Sequence, residues 1–243
     1  MGIAAETTVG DVVARDFRAA AVFHRYGIDF CCGGKRSLAA ACADRGVRTD
    51  EVLGAVEQAC TRPTSDTPRF SEWDPDTLIA YIVGTHHAYV RRALPVLTAH
   101  TRKVAAAHGT RHPELVEVAA VWARVADEMT SHMAKEEIVL FPYISQAAGA
   151  VRRGEAIPRA PFGSIDNPVR AMEHEHDAAG DAIAQIRGLT NGYALPEDAC
   201  TTYRICLKEL EEFERDLHTH VHLENNLLFP KALALAFAPV SRA

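Results

Sequence analysis

The chain has 243 residues, of which 48% are hydrophobic, and its formal net charge is −6 at pH 7. This composition supports a substantial apolar core, and the negative charge argues against a general nucleic-acid-binding protein. No apolar run approaches the ~20 residues of a membrane span, and the start shows no signal-peptide pattern. The six cysteines have neither disulfide nor zinc-knuckle spacing, so we expect a reducing, cytoplasmic location.

The first part of the chain predicts a small helical domain over residues 1–60. Helical patterns cover residues 9–26, 35–45 and 49–60. Residues 61–73 begin with a polar stretch that contains two prolines, which predicts a linker. The remaining residues, 74–243, form the second predicted domain.

The small domain contains two adjacent cysteines, Cys31 and Cys32, followed by two glycines and Lys35. A helix start and the lysine charge would both favour a thiolate, which would give this pair a catalytic role. A pair of small buried residues in a tight turn explains the same motif equally well. The other four cysteines are predicted to be packing residues: Cys42, Cys60, Cys200 and Cys206.

Four long helices are predicted in the second domain, near residues 75–107, 112–144, 166–189 and 196–237. Residues 147–168 are rich in glycine and proline and should connect the two halves. Pro142 and Pro230 should kink or end their helices. The predicted fold is therefore all-α, an up-down four-helix bundle preceded by a small helical domain.

Two segments of the predicted bundle nearly repeat each other. Residues 132–142 read HMAKEEIVLFP and residues 220–230 read HVHLENNLLFP, so Glu, Leu, Phe and Pro follow each histidine at offsets of 4, 8, 9 and 10. A further histidine precedes each segment, His87 by 45 residues and His176 by 44. The chain therefore offers two copies of one unit, each with a histidine followed by a His-x3-Glu motif.

The helical phase places these polar residues on core-facing stripes. Leu115, Val118, Trp122, Val125 and Met129 are spaced 3, 4, 3, 4, and this rhythm continues onto the first His-x3-Glu motif. The same holds for the other copy, and six polar residues thus occupy positions where Leu or Val is expected: His87, His132, Glu136, His176, His220 and Glu224. Burying them unpaired would cost about 1–3 kcal/mol each. A dry hydrogen-bonded network could compensate them, but a metal site accounts better for the matched set.

Two metal ions that share two glutamates would use all six residues. A single tetrahedral zinc needs only four ligands, and imidazole with carboxylate suits iron, with manganese or mixed occupancy as the alternative. The order His-x3-Glu differs from the Glu-x-x-His of ferritin-like di-iron proteins.

The other histidines are predicted to be solvated or to surround the ligands: His24, His86, His100, His108, His112, His174, His218 and His222. Two carboxylates, Glu128 and Glu175, could line an approach to the metals.

Four motifs together resemble the RIC (repair of iron centres) family. They are DFCCGGK at 29–35, HMxKEE at 132–137, MExEHD at 172–177 and LENNxLFP at 223–230. These proteins are di-iron iron–sulfur cluster repair proteins with a hemerythrin-like domain, and the resemblance spans nearly the whole chain. It implies two non-haem irons, bridged by two glutamates and an oxo or hydroxo group. The family's ligands fall on the same six residues, with His86 as the rival of His87.

The resemblance also implies the function. We expect repair of iron–sulfur clusters damaged by nitric oxide or oxidants, through iron donation or NO handling, with damaged iron–sulfur proteins as partners. Two other functions stay open, a sensor or storage module that binds O2 or NO and a nitric oxide reductase. No nucleic acid or membrane partner is expected, and a dimer is among the oligomeric states left open.

Overall fold

The computed structural model describes residues 3–61 and 68–235. These residues are helical apart from turns, loops and one isolated antiparallel bridge between Thr8 and Ser37, so the all-α prediction is confirmed. Within the described ranges, no helix is long and apolar enough to cross a membrane. The central residues of the predicted linker, 62–67, and the predicted last two residues of the final helix, 236–237, lie outside the described residues.

The chain divides into two compact units. The first comprises Met1–Ile79, Gln146–Arg159 and His218–Ala243, and the second comprises Ala80–Ser145 and Ala160–Leu217. The domain limits predicted from the sequence, 1–60 and 74–243 joined by 61–73, stay a prediction.

The first unit begins with four helices, α1 (Val9–Arg15), α2 (Ala19–Arg25), α3 (Leu38–Arg45) and α4 (Thr49–Thr61). The hydroxyls of Thr8 and Ser37 cap α1 and α3, as short polar residues commonly do. These helices bury a shared apolar core that includes Val12, Phe23 and Leu38.

The prediction of one helix over residues 9–26 is wrong, because the chain breaks between α1 and α2. Asp16 is extended, with φ −149° and ψ 105°. Its carboxylate accepts the Arg18 backbone N–H at 3.0 Å and pairs with the Arg18 guanidinium at 2.5 Å. Aspartate competes well with helical hydrogen bonding in this way, so the local side-chain bonds end α1.

Four long helical runs follow where the sequence predicts them, but the second continues to Arg152, so residues 147–152 of the predicted connection are helical. The first joins α5 (Pro75–Tyr81), a π-helical turn (Ile82–His87) and α6 (Ala88–His108). The second joins α7 (Glu114–Lys135), a π-helical turn (Glu136–Leu140) and α8 (Phe141–Arg152). The third is α9 (Asp166–Leu189), and the fourth joins α10 (Thr201–Leu223), a π-helical turn (Glu224–Leu228) and α11 (Phe229–Leu235).

Pro142 and Pro230 do not end their helices. Each is the second residue after a π-helical turn, and the helix continues beyond it. A proline inside a regular helix lacks one hydrogen bond and clashes with the carbonyl four residues earlier. The π-helical turn changes that hydrogen-bond pattern just before the ring, so the chain accommodates the proline without a break.

The second unit is packed around large buried side chains. Trp122 of α7 meets Phe213 of α10 edge to face, with ring centroids 4.8 Å apart. The Trp122 indole N–H donates to the Thr98 hydroxyl of α6 at 3.1 Å, which satisfies the one polar atom of that ring. The stripe from Leu115 to Glu136 is buried, as its spacing predicts, whereas Val139, the next position of the same phase, is 44% exposed.

Candidate metal centre

Four of the six predicted ligands lie in the second unit and come together there: His87, His132, Glu136 and His176. All four are at most 2% exposed. His87 is the last residue of one π-helical turn and Glu136 is the first residue of another. The apolar stripe of α7 that includes Trp122 therefore also places His132 and Glu136 in the core.

The Glu136 carboxylate is the group of this cluster that most needs a compensating partner. The residue is 0% exposed, and neither of its oxygens has a hydrogen-bond partner among the described residues. Two imidazole nitrogens face the same oxygen, Oε2, with His87 Nε2 at 3.3 Å and His132 Nε2 at 3.4 Å. A third, His176 Nε2, lies 3.0 Å from His132 Nε2. A buried carboxylate that lacks both a hydrogen-bond donor and a bound cation would be strongly destabilising.

The outer nitrogens of two of these rings are held by carboxylates. His87 Nδ1 lies 2.6 Å from Glu137, which also accepts from Arg91 at 2.5 Å. His132 Nδ1 lies 2.9 Å from Glu175, and Glu175 accepts from Lys135 at 2.5 Å. A carboxylate at Nδ1 favours a proton there, which leaves the Nε2 lone pair directed at the cluster.

The pKa values of these two outer carboxyls agree with their role as acceptors. Burial opposes ionisation of Glu137, but hydrogen bonds from His87 and Arg91 outweigh it and lower its pKa. Burial likewise opposes ionisation of Glu175, and its bonds from Lys135 and His132 lower its pKa. Both carboxylates are therefore charged at neutral pH and available to hold the rings.

The cluster is suited to a cation. Lone pairs of imidazole nitrogens converge with a carboxylate that has no donor, so the inward-facing atoms are acceptors. His132, Glu136 and His176 each offer a ligand atom within 4.8 Å of the other two. Imidazole nitrogens and carboxylate oxygens are ligand atoms that suit iron.

The other two predicted ligands, His220 and Glu224, belong to the first unit. Both are 0% exposed, and His220 Nε2 lies 3.0 Å from Glu224 Oε1. Glu224 opens a π-helical turn, as Glu136 does in the other copy of the repeat. The sequence repeat thus extends to the backbone geometry of the two motifs.

The two neighbouring histidines at 86 and 87 have different partners. His86 Nδ1 lies 2.8 Å from Asp216, and its ring meets Tyr81 edge to face at 5.6 Å. His87 faces Glu136 instead. His174, predicted to be solvated or to surround the ligands, is exposed. Of the two carboxylates predicted to line an approach to the metals, Glu128 is exposed and Glu175 contacts the His132 ring.

His222 is completely buried in the first unit. Its ring centroid lies 5.7 Å from that of Phe30 and 6.3 Å from that of Phe17. Burial lowers the pKa of His222 to about 4, so the ring is neutral at pH 7. Its partner at Nδ1 is the Asn226 amide, at 3.2 Å.

The Cys31–Cys32 loop is organised by Asp29. The Asp29 carboxylate accepts the backbone N–H groups of Cys31, Cys32 and Gly33 at 2.9, 3.1 and 2.8 Å. The Cys31 Sγ lies 4.0 Å from the Cys32 Sγ and 3.1 Å from an Asp29 oxygen. The Cys32 thiol, burial and the Asp29 carboxylate together raise the pKa of Cys31 well above its usual value. These neighbours oppose the thiolate at Cys31 that Lys35 and the helix start were expected to favour, and the catalytic role of Cys31 and Cys32 stays a prediction.

Asn226 ties this loop to the second His-x3-Glu motif. Its amide donates to the carbonyls of Phe30 and Cys31 at 3.2 and 3.1 Å. Gly10 and Gly34 pack on the same side chain, and a Cβ at Gly34 would lie only 2.3 Å from Asn226 Oδ1. Sequence reasoning missed this contact. The pair of asparagines after Glu224 was the one available signal.

The predicted packing cysteines are not all buried. All six cysteines are free thiols. Cys42 and Cys206 are buried as predicted and Cys60 is half-buried, but Cys200 is exposed, so its assignment as a packing residue is wrong. The reason is its position in the loop just before α10, outside the apolar stripe that buries Cys206.

Comparison with known proteins agrees with the geometry. Residues 78–232 match the family described as Hemerythrin HHE cation binding domain, and residues 5–60 match a Domain of Unknown function (DUF542). The first match implies a non-haem iron site. The chain is similar to curated proteins named Iron-sulfur cluster repair protein YtfE. It is 36% identical to that of Pectobacterium atrosepticum and 33% to that of Dickeya chrysanthemi, over 94% of this chain and 97% of each relative. It is 35% identical to that of Yersinia pestis, over 89% of this chain and 91% of the relative.

The two family matches cover both predicted domains, and the relatives cover nearly the whole chain. The buried His/Glu cluster lies inside the hemerythrin match, and the Cys31–Cys32 loop lies inside the N-terminal match. The chain therefore belongs to the hemerythrin HHE family and, within it, to the RIC family of iron–sulfur cluster repair proteins.

Proposed function

We propose that this protein repairs iron–sulfur clusters damaged by nitrosative or oxidative stress, and that its targets are damaged iron–sulfur proteins. The observation that carries the metal centre is the Glu136 carboxylate, which is fully buried, has no hydrogen-bond donor in the described part of the chain and is faced by imidazole nitrogens. The repair activity rests on relatives that carry that name.

We further propose that two non-haem irons are held by the six residues of the sequence repeat: His87, His132, Glu136, His176, His220 and Glu224. The support is the matched form of the two motifs. Each has a buried histidine four residues before a buried glutamate, and each glutamate opens a π-helical turn. In this proposal Glu136 and Glu224 bridge the irons.

The residues around the proposed centre fix the ligand rings and exclude water. Glu137 fixes the His87 ring, while Phe141 stacks on the same ring with centroids 5.8 Å apart and planes 18° apart. Glu175 fixes the His132 ring. Bound iron would supply a site for NO or O2 and a store of metal for transfer.

The Cys31–Cys32 loop is proposed as a soft acceptor for iron or NO. One ligand atom each of Asp29, Cys31 and Cys32 lies within 4.8 Å of the other two. Thiolates are soft ligands, and a thiol with a raised pKa keeps its proton until a metal displaces it. Such thiols require a reducing setting, so the proposal includes a cytoplasmic location.

The decisive experiment measures recovery of a nitrosylated [4Fe–4S] enzyme. We expect the iron-loaded protein to restore activity, Glu136→Ala to lose iron and repair together, and the Cys31→Ala/Cys32→Ala double variant to keep iron but lose repair. Metal analysis and Mössbauer spectroscopy of anaerobic protein give the number and environment of the irons.

The same assay separates the two other functions. Catalytic formation of N2O by the reduced protein without cluster recovery would identify a nitric oxide reductase. A tight, reversible NO or O2 adduct without cluster recovery would identify a sensor or storage module. Equal recovery by the double cysteine variant at matched iron content would remove the thiol role.

A further inference from the structure

A second group of reactive side chains lies in the second unit, among residues that the iron proposal does not use. Cys200 is exposed and immediately precedes α10, and its carbonyl accepts the first helical hydrogen bond, from Arg204 N–H at 3.0 Å. The Cys200 sulfur lies 3.2 Å from Nε2 of His108. An exposed thiol is thus in direct hydrogen-bond contact with an imidazole.

The imidazole of this pair is not a solvated surface group. His108 is only 6% exposed, and its other ring nitrogen, Nδ1, has no hydrogen-bond partner among the described residues. Its ring packs against the ring of Tyr203, with centroids 5.3 Å apart. The ring is therefore held in place by packing, and Cys200 provides its hydrogen bond at Nε2.

The two helix ends that meet here favour charge separation between the partners. Cys200 lies at the N-terminal end of α10, which has 23 residues, and a helix N-terminus stabilises a negative charge. His108 is the last residue of α6, which has 21 residues, and a helix C-terminus stabilises a positive charge. Both dipoles are therefore oriented to assist transfer of a proton from the Cys200 sulfur to His108 Nε2, 3.2 Å away.

The neighbouring charged groups have partners of their own. Asp198 pairs with His112 at 3.0 Å and with Arg111 at 3.2 Å, and His112 also lies 3.2 Å from Glu114. The His112 imidazole is therefore directed at carboxylates, whereas His108 is directed at sulfur. This difference makes His112 a matched control for His108.

Four of the other five thiols are protected by comparison, and the fifth, Cys32, is half-buried. Burial raises the pKa of Cys206 to about 12 and that of Cys60 to about 11. Cys31 and Cys42 are buried. Reaction with a small molecule in water requires an accessible thiolate, so exposure distinguishes Cys200 from these residues.

We propose that Cys200, assisted by His108, is a site of thiol–disulfide exchange with low-molecular-weight disulfides. The Cys200 sulfur attacks one sulfur of the small disulfide, so a protein–small-molecule S–S bond forms as the original S–S bond breaks. His108 Nε2 takes the thiol proton and returns it to the departing thiolate. One disulfide replaces another, and no further oxidant or reductant is required.

The test uses oxidised glutathione as the probe on the iron-loaded, full-length protein. The rate of mixed-disulfide formation is followed by intact mass, and the modified residue is located by peptide mapping. We expect Cys200 to react about ten-fold faster in the folded protein than in the same protein unfolded in urea, because only the folded site holds a proton acceptor, His108 Nε2, 3.2 Å from the sulfur. Cys206 in the same folded sample should stay unmodified.

Two variants assign the role of the imidazole. His108→Phe keeps an aromatic ring beside Tyr203 and should lower the Cys200 rate about ten-fold. His112→Phe should leave the Cys200 rate within about two-fold of the parent rate. Circular dichroism establishes that both variants are folded. The Cys200→Ser variant gives the background rate of mixed-disulfide formation at the other cysteines.

Three results would overturn the proposal. They are a folded-protein rate at Cys200 no higher than the unfolded rate, an unchanged rate in folded His108→Phe, or preferential modification of another cysteine. The folded-to-unfolded comparison needs no variant, so it decides the question even if His108→Phe does not fold.

Discussion

Replacing Glu136 with glutamine should change the stability of the metal-free and iron-loaded proteins in opposite directions. The buried Glu136 carboxylate has no hydrogen-bond donor among the residues that the structure describes, and two imidazole nitrogens lie 3.3 and 3.4 Å from its Oε2. A glutamine amide has nearly the same shape and offers two N–H donors to those lone pairs. The substitution therefore removes a buried charge and creates hydrogen bonds where none exists.

The expected gain follows from the cost of an unsatisfied buried group. Relief of that cost should raise the free energy of unfolding of the metal-free protein by about 1–3 kcal/mol. For a chain of this size, each kcal/mol corresponds to roughly 2–4 °C in melting temperature. A gain of about 2 kcal/mol would therefore raise the melting temperature by roughly 4–8 °C.

The iron-loaded protein should behave in the opposite way. Free metal at ~1,000 times its Kd stabilises the folded state by about 4 kcal/mol. Glutamine is neutral and cannot bridge two cations as a carboxylate does, so Glu136→Gln should lose most of this metal-dependent stabilisation. The loaded parent should then melt above the loaded variant, although the metal-free parent melts below the metal-free variant.

The assay is thermal unfolding, followed by circular dichroism, of parent and variant with chelator and with ferrous iron under anaerobic conditions. Glu137→Gln is the matched control. It lies next in sequence but contacts the outer nitrogen of His87, so it should weaken iron binding by about 10–100-fold without stabilising the metal-free protein. The reasoning is refuted if Glu136→Gln destabilises both forms equally or retains full iron content.

Three further predictions concern the first unit. Asn226→Ala should release the Cys31–Cys32 loop, because both hydrogen bonds from the Asn226 side-chain amide to that loop are lost. The rate at which iodoacetamide alkylates Cys31 should then rise about ten-fold, and an unchanged rate would contradict this. Gly34→Ala should lower the free energy of unfolding in urea by about 1–3 kcal/mol because its Cβ would overlap Asn226. Its control, Gly54→Ala in α4, meets no atom within 4 Å and should raise the same quantity by about 0.5–1 kcal/mol. Asp16→Asn should destabilise the protein by about 1 kcal/mol at neutral pH. The neighbouring guanidinium lowers the Asp16 pKa from 3.8, so this contribution is present above that value and is lost as pH falls through the lower, folded pKa. Urea titrations across that range should show the difference between parent and variant disappear.

Local pattern was sufficient to predict the burial of the six candidate ligands and the course of the long helices. Histidine and glutamate at the spacing of an apolar stripe must be carried into the core, because the helix period fixes which side chains share a face. The choice of His87 over His86 used the same period, and the two rings do have different surroundings in the structure. Pro142 was expected to kink or end its helix, and the helix does not end there. Its usual effect assumes a regular helix, and the π-helical turn before it could not be anticipated from spacing.

The sequence by itself determined the all-α fold, the repeated unit and the burial of its six polar residues, because periodicity is a property of neighbouring residues along one helix. Only the tertiary structure showed that Glu137 holds the His87 ring, that Asn226 holds the cysteine loop and that Cys200 meets His108. These pairs are 50, 195 and 92 residues apart along the chain. No local pattern links residues at such separations. Their contacts arise from the packing of whole helices, and that packing decides which exposed or half-buried side chains become partners.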